Sequence, residues 1–419
     1  MARRTGYANL PLHPGRAPAW LFTRMTRLAR EIATHVVFDR GPEELLRRLS
    51  DPFWFQALGC VLGFDWHSSG VTTTVTGALK EGLRGIEHDL GVYSQGGKGA
   101  TSRKTPLEIR ERCDRLAIES APLVRASRMA GKVDSAAVQD GYQLYHHAFF
   151  FSRAGHWCVI QQGMSDVTRT ARRYHWLSES VTSFVNEPHE AICSDLTAPT
   201  LNLVAAEHEP VRVTSVELAA GSPERVISLV RRAGAGLKGR PSTSHLPFDD
   251  TPSRAGDVDH AHGLPTLDMP RRHVLELRDV DPRRLESVLL TTYERSPQDF
   301  ETLLGMEGVG ARTLRALALV SEVIYGTSAS MRDPARFAFA HGGKDGTPFP
   351  VDRATYDRTI DTLHRAMAHA KVDRSDKLDA LKRLGQFAKR TEPGRDNGNA
   401  LPRRPDGEHE AHETTNKAS

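Results

Sequence analysis

The stretch Gly305-Met-Glu-Gly-Val-Gly-Ala-Arg-Thr-Leu-Arg315 sets two glycines one residue apart, just ahead of an apolar helical pattern that carries basic residues. That spacing suits a phosphate. Gly308 and Gly310 can take positive φ, and they have no side chain to hold an anion away from the backbone. The first N–H groups of the helix beginning at Ala311 would then point outward, where the helix dipole favours negative charge. Val309 is expected to plug the turn into a core. Arg312, Thr313 and Arg315 stand where they could add contacts to phosphate. Contacts of this kind position a nucleic-acid backbone without reading its bases. The plain alternative is an ordinary pair of helices joined by a glycine-rich turn.

A second set of chemistry-bearing residues lies in the first half of the chain. Asp65 and His67 precede the hydroxyl-rich run Ser68–Thr74, and Glu81 follows one to two helical turns later. Asp140 comes just before a segment carrying His146 and His147, and Gln161-Gln162 and Arg172-Arg173 come after it. Carboxylates gathered there could hold Mg²⁺ or Mn²⁺, and such an ion prepares water and neutralises a scissile phosphate. On that reading Asp65, His67, Glu81, Asp140 and His146 are the candidate catalytic residues of a metal-dependent nuclease. A carboxylate followed two residues later by Lys is missing, because the second strand offers Gln161-Gln162-Gly163. The alternative makes these residues buried polar linchpins, with Asp65 as a helix cap and the two histidines on opposite faces of a strand.

Further basic candidates for a phosphate are Lys98, Arg103 and Lys104 in and after Gly96-Gly-Lys-Gly99, and Lys344 in His341–Gly346. The glycine loop lacks the spacing of a nucleotide-binding P-loop. Asp333 lies 23 residues beyond Gly310, a longer gap than a helix-hairpin-helix glycosylase keeps before its catalytic acid, and that gap and the Asp333-Pro334 step make it look like a helix cap.

The elements that must position these residues follow from periodicity. Helices are expected at Ala19–Phe38, Glu43–Leu49 and Val75–Leu90, with a buried apolar segment at Phe53–Phe64. A further helix is expected to open at Pro106 and run to about Ser127. Gln143–Ser152 and His156–Gly163, rich in aromatic and β-branched residues, read as a β-hairpin turning at Arg153-Ala-Gly155, and Asp166–Ser178 reads as helix. Residues 237–270 collapse into Pro, Ser, Asp, His and Gly and read as a linker; residues 271–390 read as almost entirely helical. From Thr391 no apolar period remains, and residues 391–419 read as a disordered tail. The expected fold is therefore an α+β module over 1–236, helices plus a small sheet with a β-hairpin, followed by an all-α module over 271–390.

Bulk properties narrow the class. Residues 1–240 hold 30 basic against 24 acidic residues, 241–270 hold 1 against 5, and 271–390 hold 21 against 17. Two mildly basic modules flanking an acidic connector suit a polyanion without proving one. Cys60, Cys113, Cys158 and Cys193 form no CxxC pair, so neither a zinc ribbon nor a disulfide framework is indicated. The first twenty residues lack the apolar core of a signal peptide, and no stretch is apolar enough to span a bilayer, so a cytoplasmic setting without membrane contact is expected.

The hairpin pattern resembles the helix-hairpin-helix of DNA repair and replication proteins. More of the chain resembles one family. The segments are Arg4-Thr-Gly-Tyr-Ala-Asn-Leu-Pro-Leu-His13, Leu49–Gly59, Phe64-Asp-Trp-His-Ser-Ser-Gly-Val71, Gly96–Gly99 through Pro106, Gln161–Met164, Ala171–Trp176 and Asp333–Gly346. Together they are similar to the bacterial and archaeal domain-of-unknown-function family 763. The resemblance implies a shared fold and an intracellular setting, and it names no reaction. The expected function is DNA binding in repair or processing. The alternatives are the nuclease, a helix-hairpin-helix glycosylase, or a non-catalytic interaction module. Helix-hairpin-helix elements often work in pairs; the single visible copy leaves room for a homodimer or for a degenerate second copy in Asp373–Leu384.

Overall fold

The computed structural model describes residues 17–64, 69–194, 196–229, 282–327, 329, 331–335 and 353–391. Asp65, His67, Lys344, the expected linker and nearly all of the expected tail lie outside them.

The centre is a five-stranded antiparallel sheet in the order β1-β3-β4-β5-β6, built from β1 (Val92–Lys98), β3 (Gln143–Ser152), β4 (Trp157–Ser165), β5 (Thr170–Leu177) and β6 (Ala191–Cys193). The expected β-hairpin is present as β3 and β4, with Gly155 at φ +87° in its turn. Both faces of the sheet are covered. Along β3, Phe149 and Phe151 enter one core while Ala148 and Phe150 enter the other. Successive strand residues point to opposite faces, so a continuous apolar run marks a strand buried on both sides. Each buried Phe contributes about 1.5–3 kcal/mol of transfer free energy.

One face packs against α1 (Ala19–Arg40), α2 (Pro42–Ser50), α3 (Pro52–Leu62) and α4 (Gly70–Leu83). The short α5 (Glu87–Leu90) leads into β1. The other face packs against α6 (Ala100–Leu116), α7 (Ala121–Lys132) and α8 (Glu209–Ala220). A two-residue pair, β2 (Val138–Gln139) with β7 (Leu201–Asn202), lies beside that second core.

After residue 281 the described elements are all helical: α9 (Pro282–Arg295), α10 (Phe300–Gly305), α11 (Ala311–Tyr325), α12 (Arg353–His369) and α13 (Arg374–Thr391). They do not form a core of their own. Leu303, Leu304, Val309, Leu314 and Leu317 share one core with Phe149 and Tyr174 of the sheet, and Leu363, Met367 and Phe387 join Trp54, Phe55 and Phe150 in the other. The two expected modules thus pack as layers around a single sheet.

Three local expectations are corrected. Residues 170–177 form β5 instead of a helix. Tyr174 and Trp176 suit a strand, and Arg172 and Arg173 mimic a solvated face while being fully buried. Gly96-Gly97-Lys98 is the end of β1 instead of a loop; a Cβ on Gly96 would lie 2.2 Å from the His147 carbonyl oxygen, which only glycine permits there. Pro106 does not open a helix: α6 begins at Ala100, and the helix stops at Leu116 before α7. Pro106 cannot donate to the Ser102 carbonyl four residues back, and the Thr105 hydroxyl does so instead at 2.7 Å.

Candidate nucleic-acid interface

The turn Met306–Gly310 between α10 and α11 is anchored from below. Val309 is fully buried, as its type demands, while Gly308 is exposed with φ +84°. Gly310 has φ −139°, extended backbone open to any residue, so only Gly308 uses the conformational freedom expected of both. Gly310 occupies the cap position of α11 and no side chain accepts from the first N–H groups of the helix. Two side chains from the sheet half fix the carbonyls around the turn. Lys132 Nζ donates to the Val309 oxygen at 2.6 Å, and Gln139 Nε2 donates to the Ala311 oxygen at 2.8 Å. With those carbonyls held inward, the free amides of the first turn of α11 are left for an outside acceptor. Burial pulls the Lys132 ammonium below its usual pKa.

The basic residues expected beside the turn divide. Arg312 is exposed and has no acidic partner among the described residues. Thr313 and Arg315 are buried, and Arg315 Nε donates to Gln139 Oε1 at 2.8 Å. Arg315 therefore buttresses the turn from inside instead of reaching a phosphate. Residue 315 lies one helical turn beyond 311, on the face that the core claims.

A cationic cleft adjoins the turn. It lies between α6, α7 and α10, has a volume of about 450 Å³, and is lined by Arg110, Arg125, Arg128, Met129, Glu301 and Gly305 among others. Arg125 forms an ion pair with Glu301 across the cleft. Arg110 and Arg128 are exposed, with no acidic partner among the described residues. On α7, Arg125, Arg128 and Lys132 fall within an arc of about 60° at roughly 100° per residue. The spacing was visible in the sequence; its convergence with Gly305, some 180 residues later, was not.

Lys98, Arg103 and Lys104 are exposed. Lys98 lies 5.7 Å from the Tyr145 ring centre. Arg103, seven residues before Arg110, shares its face of α6, whereas Lys104 is turned about 100° from it.

The candidate catalytic residues do not converge. Glu81 sits at the surface, paired with Arg84 at 2.8 Å. His146 and Asp140 occupy opposite sides of the sheet. His146 Nε2 meets Thr76 Oγ1 of α4 at 2.9 Å, and burial, with His147, Lys98 and Lys80 adding to it, pushes its pKa down to about 3. Because Thr76 Oγ1 donates to the Thr72 carbonyl at 2.7 Å, His146 donates from Nε2. On the other side Asp140 accepts from Arg172 at 2.9 Å and from the Tyr174 hydroxyl at 2.6 Å. Arg172 also forks onto Asp333 at 3.0 and 2.8 Å. Burial works against the Arg172 charge, but the two carboxylates outweigh it and its pKa is raised. Asp333 is thereby a buried ion-pair partner that also accepts from the Ala198 and Ala335 amides, and it is not a free acid near the turn. Among the described residues no group of three His, Cys, Asp or Glu could hold a metal ion.

Sequence reading missed a neighbouring knot. Asp134, in a short π-helical turn at Val133–Ala137, accepts from Gln161, from the Trp176 indole at 2.9 Å and from His189. His147 joins it through Gln161 at 2.8 Å and reaches Ser127 at 3.0 Å. These bonds satisfy Gln161 and both ring nitrogens of His147, whereas His146 Nδ1, Gln162 Oε1 and Arg172 Nε are buried without a hydrogen-bond partner among the described residues. The four cysteines are buried and none forms a disulfide.

The family described as "Protein of unknown function (DUF763)" matches residues 6–351. The chain belongs to this family. Its match runs through the sheet, the cleft and the turn, and so covers every candidate residue named above. No curated protein and no solved structure matches the chain. None of the helices among the described residues is long and apolar enough to cross a membrane.

Proposed function

We propose that this protein binds nucleic acid, with DNA in repair or processing as its setting, by gripping the phosphate backbone at a helix-hairpin-helix formed by α10, the turn and α11. The observation that carries the reading is the uncapped start of α11 behind Gly308-Val309-Gly310, where Gly308 and Arg312 are exposed. Its carbonyls are held inward by Lys132 and Gln139, and Arg312 stands free beside it. Open amides at the positive end of a helix dipole favour an anion, and a fixed turn avoids the ordering cost of binding. Contacts of this kind hold backbone and shape without reading bases.

The test is binding of labelled single-stranded, duplex and forked DNA by the full chain across a salt series. Affinity should fall linearly in log–log terms, and Arg312→Glu should weaken all three while lowering the slope by about one phosphate contact. Wild type that binds none of the three would defeat the proposal.

A further inference from the structure

Resting on that reading, we infer that the cleft between α6, α7 and α10 receives a terminal phosphate monoester of the bound strand, so that the protein distinguishes phosphorylated ends. Three arginines against one glutamate leave the lining two net positive charges. A phosphate monoester carries about −1.5 to −2 at neutral pH, whereas an internal diester carries a single charge. The match is to the end of a strand instead of its interior. Arg110 and Arg128 lack acidic partners among the described residues, and each presents a planar fork suited to two phosphate oxygens.

Glu301 is the counter-ion within the cleft. It holds Arg125 across the opening, and a dianion displaces it from Arg125 more readily than a monoanion does. The location fits as well. Gly305 lines the cleft and lies three residues before Gly308, at most about 10 Å of chain away. A strand gripped at the turn therefore brings its end within reach of the arginines. The volume of about 450 Å³ admits a terminal nucleotide but not a second duplex arm. Val124 and Met129 in the lining are apolar and buried.

The experiment compares full-length protein binding to one duplex carrying a 5′-phosphate, a 3′-phosphate or hydroxyls at both ends, and to a closed circle of the same sequence. The expected result is about tenfold tighter binding of one phosphorylated end than of the hydroxyl-ended duplex. The double variant Arg110→Gln/Arg128→Gln, folded by circular dichroism and thermal melting, should bring both to the same affinity. Equal affinity for all four substrates, with no change in the double variant, overturns the inference while the backbone-binding proposal stands. Adenosine monophosphate and inorganic phosphate serve as probes of the cleft alone. Protection of the wild type by either, lost in the double variant, without binding of any duplex, overturns the inference by making the cleft a free-phosphate site and defeats the hairpin reading as well. Absence of binding to every probe defeats both.

Discussion

Replacing Gly310 by Asp should stabilise the fold and abolish much of the nucleic-acid binding, two effects of opposite sign from one side chain. Gly310 caps α11 at φ −139°, ψ −172°, and a Cβ there meets nothing within 4 Å. Asp fits without strain and accepts from the amides of Arg312 or Thr313. Against Gly the cap is worth a few tenths of a kcal/mol, and the carboxylate on the dipole adds about 0.3–1 kcal/mol. Thermal unfolding should rise by roughly 1–3 °C. The same carboxylate occupies the position proposed for a phosphate. Losing charge-assisted hydrogen bonds of about 1.5–3 kcal/mol weakens binding about 10- to 100-fold. Gly310→Asn caps the helix without the charge and should fall between the two. Gly308→Asp is a poorer probe, because φ +84° strains any residue with a Cβ. Fluorescence anisotropy with a labelled duplex, alongside melting curves, reads both effects. An Asp variant that melts at or above wild type and binds duplex equally well would refute the assignment of this helix end to phosphate.

Arg172→Ala strips the cation from two carboxylates and should cost about 3–5 kcal/mol in chemical denaturation; a loss under 1 kcal/mol would show the triad to be hydrated. Burial, the largest cause in each case, lowers the pKa of His146 to about 3, and also lowers those of His147 and His175. Below pH 6.5 the unfolded chain takes up protons that the folded chain refuses, so stability present at pH 7 is lost as pH falls, by at most about 1.4 kcal/mol per unit for each histidine. Urea midpoints at pH 7.5 and 5.5 check this, and equal midpoints would contradict the buried neutral assignment. Gly96→Ala should disrupt the pairing of β1 with β3, since its Cβ would meet the His147 oxygen at 2.2 Å; hydrogen exchange along β1 should quicken, and an unchanged pattern would speak against that register.

Legibility in the sequence followed the strength of periodic signals. The helices α1 to α3, the β3–β4 hairpin and the α10–α11 turn were each marked by apolar spacing plus a breaker: Gly41, Gly155 and Gly308. What misled was burial of charge. Arg172 and Arg173 look like a solvated helix face in a list of residues, yet Arg172 is neutralised by Asp140 and Asp333, the latter 161 residues away. No local pattern encodes a partner that distant. The same holds for Arg315, which looked like a phosphate ligand until Gln139 claimed it. His146 and Asp140 suggested a metal site and Gln161 stood beside them, yet buried polar groups are expensive and need partners. Thr76, Asp134 and Arg172 offset that expense, each from another element.

On the proposed reading, the same long-range bonds would let the turn bind with the one hairpin seen among the described residues. A free hairpin must either order itself on binding or lean on a second hairpin for a second row of phosphate contacts. Here Lys132 of α7 holds Val309, Gln139 of β2 holds Ala311, and Arg172 of β5 holds the chain beyond α11 through Asp333. The sheet half thus fixes the direction in which the turn faces. Arg125 and Arg128, from the helix that supplies Lys132, stand on the cleft beside the turn. On the proposed readings, the turn holds the backbone and the arginines of α6 and α7 hold the strand end. The surface then belongs to neither half of the chain alone. Its preference for a phosphorylated end should depend on residues near 110–132 and its grip on the backbone on those near 308–312, although nothing in the sequence places the two together.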